Sequence, residues 1–461
     1  MVSILRQPRG FYRNVFILMV PMVLQNLITQ TVVLADTLMV GTLGEQYLAA
    51  VTVAVTPLFI FMIFTFGVQS GVGILVAQYW GKGDTKTINR ILGVGLFFST
   101  VIILAGALVL FFFPEQILNF VTSERHLIPI AAPYARIVAI SHVFGAVSMV
   151  YISCHRSMEN PKLGFYVLAV SAVFNVIGNW IFIFGRFGMP ALGIEGAAYV
   201  TLGVRVLEVI IISVYAARNK RLPLKLGLLF KPGMMIFRDF AKYAFPVLLN
   251  ELVWGFGFML FPVILGHMTG AGAILAAHNI AGNVERLFAV AIFASSNATA
   301  IIIGRELGAG RRDNIEGVAK SLIALSLVFG VASGVLLMIA RFTVLEPVVY
   351  PLFNLSYEAA RAASTMVVIL AFLMPLRTMG ITIGLGVLRG GGDVKALMYI
   401  DIGTLYIVAL PIAAIGGLVL GFGVAFVYSG FIFEGVAKAA LLLWRFKSKK
   451  WIHNVTREKI E

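Results

Sequence analysis

Twelve long apolar stretches, separated by short polar breaks, constrain this chain more than any other feature it has. They fall at approximately 15–40, 49–80, 91–113, 129–153, 163–185, 194–216, 240–266, 273–303, 321–340, 359–388, 396–417 and 424–444. A helix crosses the hydrocarbon of a bilayer in about 20 residues. In lipid every backbone N–H and C=O must be paired within the protein, so runs of this length read as spanning helices. Three runs exceed the required length, which allows tilt or an extra turn beyond the membrane. Composition agrees: 60% of residues are hydrophobic and 12% charged, against roughly 25% charged in a soluble domain. A water-soluble globule is excluded. The single cysteine, Cys154, excludes a disulfide framework and a cysteine-rich metal site.

The formal charge of +15 would suggest nucleic acid in a soluble protein, but here it marks topology. Of the 36 lysines and arginines, 27 lie at the two termini or in the loops after the even-numbered runs. The opposite side and its helix ends hold Arg125, Arg136, Arg186, Arg341 and Arg361. Basic residues accumulate on the cytoplasmic face. The expected topology is therefore multi-pass in the cell membrane with both termini cytoplasmic. The first run is too long for a signal-peptide core, lacks a clear small-residue cleavage site, and is expected to stay. The basic tail reads as an anchor on anionic lipid.

The two halves repeat one another. Val20-Pro21-Met22-Val23-Leu24 returns as Phe245-Pro246-Val247-Leu248-Leu249, with Gly41 and Gly266 at one distance from their prolines. Gly81-Lys82-Gly83 answers Gly308-Ala309-Gly310, Arg156 and Lys162 answer Arg389 and Lys395, and Gly196 and Arg218 answer Gly423 and Arg445. Their collinear order points to duplication. With six spans in each half, the second half enters from the same side as the first, so the repeats are parallel, a frequent plan in transporters. The fold expected is an all-α membrane protein of twelve transmembrane helices in two six-helix lobes. Residues 1–217 would form the N-terminal lobe, 218–238 a cytoplasmic linker with a hinge role, 239–446 the C-terminal lobe and 447–461 the basic cytoplasmic tail.

An ionised side chain at membrane depth calls for an explanation, and by default the explanation is function. Asp36 sits about 30 Å along the first span, in the outer part of the membrane. Asn175 and Asn179, four residues apart on one face of the fifth span, lie about 18 and 24 Å up, and Thr201 lies about 10 Å below the outer surface on the sixth. These four share one depth band. Facing one another, a carboxylate, two amides and a hydroxyl would offer hard oxygen ligands for Na⁺, or a hydrogen-bonded pocket for a protonatable carboxyl. The structural alternative has Asp36 capping or hydrating a helix end and the asparagines joining helices. Pro21 bends the first span or simply fixes a static kink, and Tyr134 either lines the same lobe or marks the interface.

In the second half, Glu251 and Glu285 reach the membrane centre. They could take the positive charge of a substrate, or pair internally, with Arg286 beside Glu285. Arg205 with Glu208, and Glu434 with Lys438, have spacings that permit pairing on one helical face. Asp401 reads as a gate residue or a solvated one. The 17 methionines and 36 phenylalanines suit a cavity that accepts varied apolar shapes, although most of them would face lipid or pack helices.

The stretches Ala35-Asp36-Thr37-Leu38-Met39-Val40-Gly41 with Leu48-Ala49-Ala50, Ala77-Gln78-Tyr79-Trp80-Gly81-Lys82-Gly83-Asp84, Asn175 to Trp180 running into Gly185, then Pro190, Gly193 and Gly196-Ala197-Ala198, and Leu388-Arg389-Gly390-Gly391-Gly392-Asp393 resemble the multidrug and toxic compound extrusion (MATE) family. The likeness covers essentially the whole chain. It implies lobes that alternate between inward and outward openings, exporting mostly cationic amphiphilic compounds against a proton or sodium gradient. Matched residue by residue, Asp36, Asn175 and Thr201 fall on the family's N-terminal cation site, and Pro21 on its first-helix proline. Asn179 falls where some archaeal members have aspartate. The resemblance thus implies a cation-coupled multidrug exporter that needs no cofactor beyond its coupling ion, H⁺ or Na⁺. Its partners would be organic cations or drugs and membrane lipid, not nucleic acid, and a monomer suffices.

Two rivals are weaker. A flippase for lipid-linked saccharides would need several free arginines or lysines to hold a pyrophosphate, whereas Arg205, Arg286, Arg377 and Lys438 are the only basic residues well inside spans. A membrane enzyme finds no support. The six histidines lack metal-ligand spacing, no aspartate cluster stands at a span end, and Arg389–Asp393 lacks the lysine pattern of a phosphate loop.

Overall fold

A computed structural model of the protein describes residues 7–353 and 355–458. Arg6 and Lys459, two of the basic residues used to orient the chain, lie outside them. Twelve helices among the described residues are long and apolar enough to cross a membrane: α1 Gly10–Gly41, α2 Phe59–Lys82, α3 Thr85–Phe112, α4 Arg125–Ser157, α5 Lys162–Phe184, α6 Gly193–Arg218, α7 Met234–Gly266, α8 Ala271–Gly308, α9 Ile315–Leu352, α10 Tyr357–Leu388, α11 Val394–Val419 and α12 Val424–Lys447. This is the all-α, twelve-span membrane fold, with six helices in each half.

The bounds depart from the apolar runs where local chemistry intervenes. Run 49–80 divides into a short helix, Glu45–Val55, and α2. Between them stands Pro57, which lacks an N–H and clashes with the preceding turn. Pro21, in contrast, lies inside an unbroken α1. Helix α9 continues past the expected residue 340 through a widened turn, Arg341–Val349, that accommodates Pro347. Similar widened turns occur at Thr382–Leu388, Thr404–Ala409 and Ile415–Val419. Such turns satisfy backbone groups that a regular helix would leave open.

The chain forms two compact units. One runs from Pro21 to Leu248 with the chain end from Thr456; the other runs from Leu249 to Val455 with the start of the chain through Val20. Each boundary cuts a first helix at the duplicated proline: at Pro21 in α1 and just beyond Pro246 in α7.

In the unit that begins at Pro21, the core joins Phe61, Ile103, Leu110, Ala135, Ala139 and Ala198. Lipid gives helices no hydrophobic reason to associate, so close approach through small residues has to supply the packing. The start of α7 shows this. A Cβ on Gly71 of α2 would stand 2.5 Å from Ala244 Cβ, and the Phe98 ring of α3 stacks on Phe237 and Phe240 with centroids 4.8 and 5.5 Å apart. The segment before α7 is fastened to the same unit: Lys225 N donates to Asn89 Oδ1 at 3.1 Å, Asn89 Nδ2 donates to Pro223 O at 3.3 Å, and Leu222 is fully buried. In the other unit the core joins Phe261, Leu265, Met366, Leu370, Met374 and Tyr428.

The tail behaves differently from a simple lipid anchor. Trp451 is completely buried, stacks on Phe446 at 5.6 Å, and donates from Nε1 to Phe446 O at 3.0 Å. Arg457 then makes a two-point pair with Asp239, Nε to Oδ2 at 2.6 Å and Nη2 to Oδ1 at 2.7 Å. That carboxylate holds the guanidinium pKa above its usual value. Two basic side chains of the tail are therefore engaged by protein, Arg457 by Asp239 and Lys449 by Glu316 at 2.9 Å.

Gly71→Val places two methyl groups in the Ala244 contact. Overpacking of this kind costs about 1–3 kcal/mol, so the variant should unfold at lower temperature in detergent than Gly71→Ser, which adds less bulk.

Candidate functional site

The site is built where α5 presents one helical face to α1. Asn175 and Asn179, one turn apart, are 5% and 0% exposed. Asn179 donates from Nδ2 to Asp36 Oδ1 at 2.7 Å and to Asn175 Oδ1 at 3.3 Å. Three of the four residues that shared a depth band are thus in one hydrogen-bonded chain. Asn179 Oδ1 is buried and accepts no hydrogen bond. A buried acceptor without a donor is expensive, and here it adjoins a carboxylate. The pair offers two oxygens to a proton or a small cation.

Local packing aims these groups. Gln25 Nε2 donates to Pro161 O at 2.6 Å and so ties α1 to the turn before α5. The hydroxyls of Thr29, Thr31 and Thr37 bond carbonyls of α1 itself. A Cβ on Gly178 would lie 2.8 Å from Val200 Cγ1, so α6 presses closely on α5 beside the asparagines. Thr201 stands next to Val200, yet its Oγ1 donates to Ala197 O at 2.9 Å and makes no hydrogen bond to Asp36 or the asparagines. Tyr134 is 9% exposed, within the core of the same unit and in electrostatic reach of Asp36.

A second arrangement in this unit handles charge by pairing alone. Arg205 Nη1 reaches Glu208 Oε1 and Oε2 at 2.9 and 3.0 Å, and Ser148 donates to Oε2 at 2.8 Å. Glu208 is 1% exposed, and the i,i+3 spacing had marked it.

In the other unit the acids are also answered. Glu251 takes Arg389 Nη2 at 3.3 Å. Glu285 pairs with Arg377 of α10, while the adjacent Arg286 is exposed. Asp401 is buried, not solvated, and its Oδ1 lies 2.6 Å from Lys438 Nζ. Its other oxygen accepts from Asn250 Nδ2 at 3.2 Å. Spacing along α12 suggested Glu434 for Lys438; the direct partner comes from α11. Depth could have found it, since Asp401 lies about 10 Å from the start of α11 and Lys438 about 14 Å from the end of α12, and consecutive spans run in opposite directions.

A bundle of twelve spans with a carboxylate–amide cluster buried in its first half is the plan of a polytopic membrane transporter. The chain belongs to the MatE family, whose model matches residues 21–181 and 246–415, one segment in each half. The uncharacterized transporter YisQ of Bacillus subtilis is 27% identical over 91% of this chain and 90% of its own length. A probable multidrug resistance protein, NorM of Rhizobium meliloti, is 29% identical over 89% and 88%. Among solved structures, a Vibrio cholerae MATE transporter, VcmN, superposes with a TM-score of 0.86 over 96% of this chain and 98% of its own at 20% identity. A MOP superfamily transporter from Pyrococcus furiosus gives 0.85 over 97% and 98% at 19%.

Removing one member of a buried ion pair leaves the other uncompensated, at a cost of about 3–5 kcal/mol. Arg205→Met should therefore lower the thermal midpoint sharply. Arg205→Met/Glu208→Leu should recover most of the loss, because Ser148 keeps its bond to Gly145 O.

Proposed function

We propose that the protein is a multidrug exporter that moves organic cations and other amphiphilic compounds out of the cell, driven by inward H⁺ or Na⁺ through alternating access. The reading rests on family membership and, above all, on one observation: the half-buried Asp36 of the first unit stands against Asn179, whose own carbonyl oxygen is buried without a partner. Desolvation penalises a bare carboxylate, and among the described residues no basic side chain pairs with this one. The neutralising charge must then come from solution.

With H⁺, the protonated carboxyl would donate to Asn179 Oδ1 after rotation of the amide. With Na⁺, Asp36, the carbonyls of Asn175 and Asn179 and the Thr201 hydroxyl supply hard oxygens. Either event replaces the present Asn179-to-Asp36 bond with another, so the ion favours a different arrangement of α1 and α5. Coupling requires only that ion and drug favour different states of the protein. In the cycle we propose, the ion enters from outside, drug leaves outward, and release of the ion to the cytoplasm restores the inward opening. The termini would be cytoplasmic in the cell membrane, residues 218–238 the linker between lobes, and one chain the working unit. Pro21 and Tyr134 would border the drug path. Glu251 and Glu285 could meet drug only by exchanging their arginines. A flippase is disfavoured, since of the four basic residues well inside spans Arg205, Arg377 and Lys438 are committed to acids, leaving Arg286 alone for a pyrophosphate.

The test is uptake of a fluorescent organic cation by proteoliposomes under imposed pH or Na⁺ gradients. Asp36→Asn should reduce gradient-driven transport at least about tenfold, the effect of losing about 1.4 kcal/mol of coupling. Gradient-driven transport undiminished in this variant would overturn the coupling role of Asp36.

A further inference from the structure

Each unit sets an aspartate against an asparagine on another helix, and in each the asparagine gives its amide proton and keeps a buried, unpartnered Oδ1. In the first unit the pair is Asp36 with Asn179. In the second it is Asp401 of α11 with Asn250 of α7, where Nδ2 donates to Asp401 Oδ2 at 3.2 Å and Asn250 Oδ1 is orphaned. Both residues of the second pair are 5% exposed. The pairs differ in placement, the aspartate coming from the first helix of one half and the fifth of the other, and in one added side chain. Asp401 Oδ1 lies 2.6 Å from the Lys438 ammonium, a short charge-assisted contact. Attraction of that kind is what an untethered spherical cation would also provide.

We propose that Asp401, Asn250 and α12 form a second monovalent-cation position whose resident cation is the chain's own Lys438 ammonium. The surrounding charges support this assignment. Glu251 has Arg389 and Glu285 has Arg377, and Glu434, one turn before Lys438, lies within electrostatic reach of Lys438 and Arg377. Arg389, held by Glu251, is the base that remains within electrostatic reach of Asp401 once Lys438 loses its charge. The vacated space is the size of an ammonium group, close to that of K⁺, and Asp401 Oδ1 borders it, with the Asn250 amide on the other carboxylate oxygen. On the transport reading above, this fixed cation leaves Asp36 as the position that exchanges ions with solution. The inference itself does not depend on transport.

Lys438→Met keeps the stem of the side chain, ends one atom short of Nζ and removes the charge. Binding is measured at equilibrium with radioactive Na⁺ and Rb⁺ on full-length protein in detergent, in an Asp36→Asn background that silences the first unit. The Lys438→Met protein should bind about one more cation per chain than its parent, and adding Asp401→Asn should abolish the gain. If Lys438→Met unfolds in N-methylglucamine buffer, Na⁺ or K⁺ should restore its folding yield and thermal midpoint. A folded Lys438→Met protein that binds no extra cation, its charge being balanced by a proton, overturns the proposal. Failure of Na⁺ and K⁺ to rescue an unfolded one does so equally.

Discussion

A charge withdrawn from water into hydrocarbon must be answered inside the protein, and this requirement organises the molecule. Backbone groups meet it by forming helices throughout, including widened turns where proline or packing disturbs the regular pattern. Side chains meet it by pairing: Glu208 with Arg205, Glu251 with Arg389, Glu285 with Arg377, Asp401 with Lys438. Asp36 departs from that pattern, with amides for company and no base. On the proposed coupling, an ion arriving from solution would act on this one place, because the surrounding charges are neutralised internally.

The duplication gives this contrast its meaning. The two halves keep the same plan, six helices with a proline in the first, and each sets an aspartate against an asparagine, with the two residue types exchanged between the first and fifth helices. One lysine on α12 separates them electrically. Such a change leaves the scaffold intact, because a lysine stem packs along a helix much as a methionine does. It alters only what the buried carboxylate can exchange.

Much of this was legible in the sequence, because lipid imposes a simple rule on length and polarity. Twelve spans and their order follow from apolar runs, and the meeting of Asp36 with Asn175 and Asn179 follows from depth and the four-residue turn. Pro57 marked a break that hydropathy alone passed over, since a turn of three apolar or neutral residues does not interrupt an apolar run. Thr201 shares the depth of the cluster but spends its hydroxyl proton on its own helix, and depth carries no information about rotation. The partners of Glu285 and Lys438 were hidden for a related reason. Neighbours along one helix are visible in spacing, whereas Arg377 and Asp401 approach from other helices and depend on how the bundle is assembled.

The docked tail has a practical side. Because the Trp451 indole fills a space bounded by Phe446 and the Gly391 backbone, where even a Cβ on that glycine would collide, the last stretch of chain is part of the folded body and not a disposable extension. Shortened versions prepared for crystallography should retain it, and purification tags or fluorescent fusions are better separated from Arg457 by a flexible spacer.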